Sequence, residues 1–268
     1  MNPSNTYQSV RIGDVADWRL IICVSATGAC AYLRHDNPTE PLVTIFEQSW
    51  KVSESEILSK IESAIYDHPQ VLDDFTADVI VVAPDTLWVP SDSIADDEEQ
   101  GEDWYSMVFG GKEEDVMVAE AGKEASLFAL VPGLKAFLQR TFPGARIHSH
   151  LEVLVSRLRS RSPEEARIFV DIRKGECDLV AFDRKELLSA STHSWREIAD
   201  IRYHIHNLIN VYGLNPESIQ VSLSGLREVK TELLPLLREK IGYVMLTMTP
   251  TVAQQMGLSL PVALMLRQ

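Results

Sequence analysis

A chain of 268 residues, 45% hydrophobic and 24% charged, can bury a sizeable core as one large domain or two ordinary ones, and its composition excludes a disordered chain. No apolar run is long enough to span a bilayer, and the opening MNPSNTYQSVRIGD lacks the basic-then-apolar layout of a secretory signal, so a cytoplasmic location without a membrane partner is expected. The net charge of −14 repels the phosphate backbone that dominates nucleic-acid affinity, which argues against a nucleic-acid partner.

The first half opens on three strand-like runs, Arg19–Ser25, Ala29–His35 and Leu42–Trp50. Ala26-Thr27-Gly28 joins the first two as a tight turn, its glycine placed where a positive φ is expected. Asp36-Asn37-Pro38 makes the next turn. The capping box Ser53-x-x-Glu56 then starts a helix with Ile57, Leu58, Ile61 and Ile65 on one face. Asp67-His68-Pro69 ends it, and Ala77–Ala83 reads as a strand buried on both faces.

Residues 84–125 interrupt this pattern and predict an insertion with a hairpin and a short helix. Within 92–124, twelve acids face only Lys112 and Lys123, so this stretch holds ten of the fourteen excess negative charges. The run WYSMVF (Trp104–Phe109) passes through it. Aromatics amid acids suit a partner-binding surface, and core packing explains them equally. Regular structure resumes with a strand at Ser126–Val131, a helix at Gly133–Thr141, a strand at Arg146–His150 and a helix at Leu151–Arg159.

Arg161-Ser162-Pro163 marks a boundary, giving domains 1–160 and 161–268. Beyond it the opening plan returns: strand Ala166–Ile172, a turn at Gly175, strand Cys177–Asp183 and strand Glu186–Thr192. A helix starts at the capping box Ser194-x-x-Glu197, with Ile198, Ile201, Ile205, Leu208, Ile209 and Tyr212 on its apolar face and Gly213 at its C-terminal cap. Strand Ser218–Leu223, a helix between Arg227 and Lys240 that contains Pro235, and strand Tyr243–Thr249 complete the half. Hairpins followed by strand–helix alternation predict an α/β fold of two mixed sheets flanked by helices.

This repeated order resembles the actin-like ATPase superfamily, a duplicated RNase H-like fold. More narrowly, Asp85–Pro90 (DTLWVP), Leu130–Phe142 (LVPGLKAFLQRTF) and Ile201–Gly225 resemble a bacterial domain-of-unknown-function family with that fold. The resemblance implies a nucleotide cleft between the halves, with ATP and Mg²⁺ as the cofactor. It puts Thr27, Gly28, Asp171, Gly175 and Gly225 at the candidate site. Active members need an acid in each half and glycine-rich turns that let backbone N–H groups cradle phosphate. Here Ser25–Gly28 has no acid, Arg173 stands where glycine belongs, and the adenosine-side glycine pair is reduced to Ser224-Gly225-Leu226. A non-catalytic scaffold or partner-binding protein with a degenerate cleft is therefore expected, with an unidentified protein partner at the acidic insertion. The alternative is an ATPase or switch that uses Asp171. A third class, an RNase H-like nuclease, is opposed by the charge.

Arg173 and Lys174 could hold an anion, or form a solvated hairpin tip. His148 and His150 have the spacing that puts two imidazoles on one face of a strand, whereas His204 and His206 fall on a helix and point apart. No metal site is expected from them. Cys23, Cys30 and Cys177 lie in apolar runs and read as buried thiols. A Cys23–Cys30 link on adjacent strands is possible, but a cytoplasmic compartment argues against it.

Overall fold

The structure, a computed structural model, describes residues 14–37, 39–94, 98–110, 115–160, 165–247, 253 and 256–266. Arg161-Ser162-Pro163, Pro38, Gly111, Asp96, Asp97 and the end of the last expected strand at Thr249 lie outside the described residues. Through residue 160 the elements are β1 (Trp18–Ser25), β2 (Gly28–His35), β3 (Val43–Ser49), α1 (Ile57–Tyr66), β4 (Thr76–Val81), β5 (Thr86–Pro90), α2 (Glu98–Phe109), β6 (Val116–Ala121), β7 (Glu124–Ala129), α3 (Leu134–Thr141), β8 (Arg146–Ser149) and α4 (His150–Arg159). Then follow β9 (Arg167–Arg173), β10 (Glu176–Asp183), β11 (Glu186–Ser194), α5 (Ile198–Val211), β12 (Gln220–Gly225), α6 (Arg227–Arg238), β13 (Tyr243–Leu246) and α7 (Leu260–Met265).

Packing divides the chain into two compact units. The first comprises Met1–Ala83, Val89–His150 and Met265–Gln268; the second comprises Pro84–Trp88 and Leu151–Leu264. Most of α4 thus groups with the second unit, although it precedes the boundary read from the sequence.

The main sheet of the first unit has the order β3-β2-β1-β4-β8, and that of the second has β11-β10-β9-β12-β13. In each, the first three strands of the order pair antiparallel and the remaining pairings are parallel. Strand alternation sends every second residue to one face. In the first unit Leu20, Ile22 and Val24 join Ile57, Ile61 and Ile65 of α1 and Leu134, Phe137 and Leu138 of α3 in one core. In the second, Ile168, Val170 and Ile172 join Ile201, Ile205 and Ile209 of α5 and Leu233 and Leu237 of α6. Pro235 sits inside α6. An internal proline costs about 3 kcal/mol, and burial of Leu233 and Leu237, worth about 1.5–3 kcal/mol each, offsets it.

Several local expectations are corrected. Glu124–Ala129 lies in a separate three-stranded sheet ordered β5-β7-β6, so the insertion extends past residue 125 and the main sheet's fifth strand is Arg146–Ser149. Ser53–Glu56 does form a capping box, which leads through a short 3₁₀ turn into α1. Ser194, in contrast, is used up in the ladder opposite Glu176. The cap of α5 is instead Glu197 with Asp200, whose carboxylate accepts the N–H groups of Arg196 at 2.9 Å and Glu197 at 3.0 Å. Tyr212 leaves the apolar face of α5; it is exposed and its hydroxyl donates to the Leu188 carbonyl at 2.6 Å.

Candidate functional site

The face of the second sheet turned away from its helical core carries one polar side chain per strand at the same level. Register pairs Thr192 with Asp178, Asp178 with Asp171, and Asp171 with Ser224. The row therefore crosses β11, β10, β9 and β12. Asp171 is 2% exposed and Asp178 0%, so each carboxylate needs compensation. Ser224 donates to Asp171 Oδ1 at 2.8 Å. Thr192 donates to Asp178 Oδ1 at 2.7 Å. Arg173 grips both oxygens of Asp178, Nη2 to Oδ1 at 2.8 Å and Nε to Oδ2 at 3.1 Å, while its Nη1 reaches Glu176 at 2.8 Å. Arg173 is thus not a solvated hairpin tip. Burial works against its charge, but Asp178 foremost, with Glu176 and Asp171, holds the guanidinium above its ordinary range. Lys174 and Gly175 are the exposed residues of that turn. On α6, burial pushes the Lys230 ammonium down, and the charge of Asp171 opposes the shift.

Hairpin register identifies the matching positions in the first unit. Ser25 pairs with Gly28 across Ala26-Thr27, as Arg173 pairs with Glu176 across Lys174-Gly175. Counting back along the strands, Cys23 corresponds to Asp171 and Cys30 to Asp178. The first row reads Glu47, Cys30, Cys23, Ile80. Thr27 corresponds to Gly175 and Gly28 to Glu176.

Gly28 does not have a positive φ. Its need for glycine comes from β3, because a Cβ there would stand 2.6 Å from the Gln48 carbonyl oxygen. Gly175 does have φ +79, with nothing within 4 Å of an added Cβ. Gly225 has φ +87, and a Cβ would meet the Ile172 carbonyl oxygen at 2.0 Å. That close approach lets the Leu226 N–H reach the same oxygen at 2.9 Å, joining the end of β12 to β9. The structure thus gathers Asp171, Gly175 and Gly225 in the second unit and Thr27 and Gly28 on one turn of the first.

A tryptophan clamp on each turn was missed in the sequence. Trp50 donates its backbone N–H to Thr27 O and its indole N–H to Ala26 O, both at 2.9 Å. Trp195 donates its backbone N–H to Gly175 O at 3.0 Å, and its indole N–H lies 3.0 Å from Arg173 O and 2.9 Å from Glu176 O. The signal was a repeated dipeptide, Ser49-Trp50 and Ser194-Trp195, at the end of each third strand.

The histidines divide differently from their spacing. His148 is on β8, its Nε2 3.6 Å from Asp78, but His150 opens α4 and its Nδ1 accepts the Ala83 N–H at 3.2 Å. They do not share a strand face. His204 and His206 are both on α5, where His204 stacks on His193 at 4.2 Å. Among the described residues no group of three or more His, Cys, Asp or Glu is arranged to hold a metal. In the insertion, Tyr105 is buried, whereas Met107 (81% exposed), Val108 and Phe109 leave the end of α2 in solvent.

The sequence matches the family described as "Protein of unknown function (DUF3822)" over residues 8–243. No curated protein matches it. Among solved structures, a Bacteroides thetaiotaomicron protein with an actin-like ATPase fold and unknown function is similar at TM-score 0.79 and 17% identity, covering 98% of each chain. A chain of the PilM–PilN type IV pilus biogenesis complex is similar at TM-score 0.51 and 14% identity, covering 92% of this chain and 97% of that one. Together with the strand order of the two main sheets, these likenesses make the fold that of the actin-like ATPases, and the match over residues 8–243 makes the chain a member of the DUF3822 family.

Proposed function

We propose that this protein is a non-catalytic actin-like scaffold that binds a protein partner and whose nucleotide site is degenerate. The observation that carries the reading is the Arg173 fork on Asp178. One of the two carboxylates in the row is already neutralised by a side chain of its own hairpin. The first unit offers Cys23 where the second has Asp171, and a thiol is a poor ligand for a hard cation that takes oxygen donors. These residues do not fit ATP with Mg²⁺. Partner binding draws support from the exposed Met107, Val108 and Phe109 at the end of an acid-rich helix, which suit a basic segment carrying apolar residues. It also draws support from the similar fold in the PilM–PilN complex, an assembly of two proteins. The division into duplicated halves at 161 belongs to the same reading.

The second reading, an ATPase or switch using Asp171, is favoured by the charge of Lys230 beside Asp171 and by the open, glycine-bearing turn at Gly175. Titration of the full chain with ATP, with and without Mg²⁺, separates the two. The scaffold reading expects no turnover and no Mg²⁺-dependent gain in binding. Turnover that disappears in Asp171→Asn would overturn it. For the partner, capture of binding proteins should be lost when Met107, Val108 and Phe109 are changed to Ser in a variant that still melts cooperatively, and association should slow as salt rises.

A further inference from the structure

The row in the first unit has a chemistry of its own, independent of the scaffold reading. Cys23 and Cys30 are both thiols, directly opposed across the β1–β2 ladder. Opposed residues on antiparallel strands have Cα atoms roughly 4.5–5.5 Å apart, within the range a disulfide spans. Both keep part of their surface exposed, whereas Cys177 in the second unit is fully buried. We propose that Cys23 and Cys30 form an oxidisable dithiol that a hydroperoxide converts into a cross-strand disulfide and that an external dithiol returns to the two thiols by exchange.

The surroundings assign the order of attack. Hydrogen bonding from the Cys23 thiol is the main influence that lowers the Cys30 thiol below its ordinary range. The Tyr32 hydroxyl and the Cys23 backbone N–H add to it, against burial and the charge of Glu47. Tyr32 itself is pushed well up, first by burial and then by Cys30 and Glu47, and its hydroxyl donates to Glu47 Oε1 at 2.6 Å. It stays neutral, its one proton directed to Glu47. Cys30 is therefore the nucleophile and Cys23 the resolving thiol. The Cys30 thiolate attacks the terminal oxygen of the hydroperoxide; an S–O bond forms, the O–O bond breaks, and the alkoxide or hydroxide released takes up a proton. The Cys23 sulfur then attacks the Cys30 sulfenic acid, giving its own proton to the departing hydroxide, which leaves as water. Two thiols lose two electrons, and the peroxide bond gains them.

Cys177 supplies an internal control. Burial, with Asp178 next to it, pushes its thiol up to about 12, so it stays protonated and unreactive. The experiment exposes the reduced full chain to hydrogen peroxide, quenches with catalase, alkylates under denaturing conditions and maps the peptides by mass. Alkylatable thiols are expected to fall from three to one, with Cys23 and Cys30 in one linked peptide, two hydrogens lighter, and with all three restored by dithiothreitol. In Cys23→Ser, a 1,3-dione probe should label Cys30 as its sulfenic acid and no intramolecular link should form. Three persisting thiols, under peroxide that fully oxidises free cysteine in the same tube, would overturn the proposal. So would a link through Cys177, a disulfide between two chains, or irreversible oxidation of Cys30 while Cys23 remains a thiol. The wild-type map decides the matter even if the serine variant fails to fold.

Discussion

At one level of the second sheet the strands carry Thr192, Asp178, Asp171 and Ser224; at the same level of the first they carry Glu47, Cys30, Cys23 and Ile80. Strand order is the same on both sides of the comparison, and a tryptophan closes each two-residue turn, but the turns differ in backbone: Gly175 has φ +79, and its counterpart Thr27 is not left-handed. The chemistry of the row differs too. Two opposed carboxylates in one unit become two opposed thiols in the other. Main-chain register and the indole clamp are therefore what the two hairpins share, whereas the turn conformation and the polar row differ. A buried row of acids is the more demanding solution, because each charge needs a partner where a thiol needs none.

The largest expected effect follows from that demand. Arg173→Met leaves the Asp178 carboxylate buried without its bidentate cation, and removing one partner of such a pair costs about 3–5 kcal/mol. Urea unfolding should show this loss, and adding Asp178→Asn should recover most of it, since the charge that required Arg173 is then gone. At the equivalent place in the first unit, Ser25→Ala should cost less, about 1–2 kcal/mol, because only local hydrogen bonds of the turn are lost: Ser25 Oγ donates to the Gly28 carbonyl at 3.0 Å and accepts the Thr27 N–H at 3.3 Å. A Ser25 variant as costly as the Arg173 variant would break the comparison.

Glycine substitutions sharpen it at the next scale. Gly225→Ala forces a Cβ onto the Ile172 carbonyl at 2.0 Å in a left-handed backbone, so about 3 kcal/mol is expected. Gly175→Ala meets nothing within 4 Å and should cost only the left-handed penalty of about 1–2 kcal/mol. The ordering, read from urea midpoints, tests whether close backbone approach or turn conformation is the reason for each glycine.

Much of this was legible from the sequence, and what was not has physical reasons. The strand–strand–strand–helix order came from apolar periodicity, which reports burial directly. The helix faces of α1 and α5 came from the same source. Arg173 was misread because a charged residue beside a turn glycine has the pattern of a solvated tip; only the register places buried Asp178 within its reach. Ser194 was misread as a cap because Ser-x-x-Glu fits a capping box, and the pattern cannot reveal that the β-ladder continues through Ser194. Gly28 had the right residue for the wrong reason, as a neighbouring strand rather than its own φ excludes a side chain. The Arg184-Lys185 turn, at φ 48 and 69, has none of the glycine or asparagine that marks such turns, although its flanking strands were found.

The smallest effect tests the clamp that both units share. Trp50→Phe and Trp195→Phe each remove an indole N–H and some apolar area, but keep the backbone N–H bond to Thr27 O or Gly175 O. The area term is similar in both, so the difference between the variants reports the indole hydrogen bonds. Trp50 donates to one carbonyl, Ala26 O, whereas the Trp195 N–H lies between Arg173 O and Glu176 O. Losing one neutral hydrogen bond costs about 0.5–1.5 kcal/mol, so Trp50→Phe should fall in that range and Trp195→Phe a few tenths above it. Because the two clamps share no partner, the double variant should equal the sum within about 0.5 kcal/mol. A cost at Trp50 well above that at Trp195 would mean the indole bonds are not the shared device. The likeness between the hairpins would then rest on strand register alone.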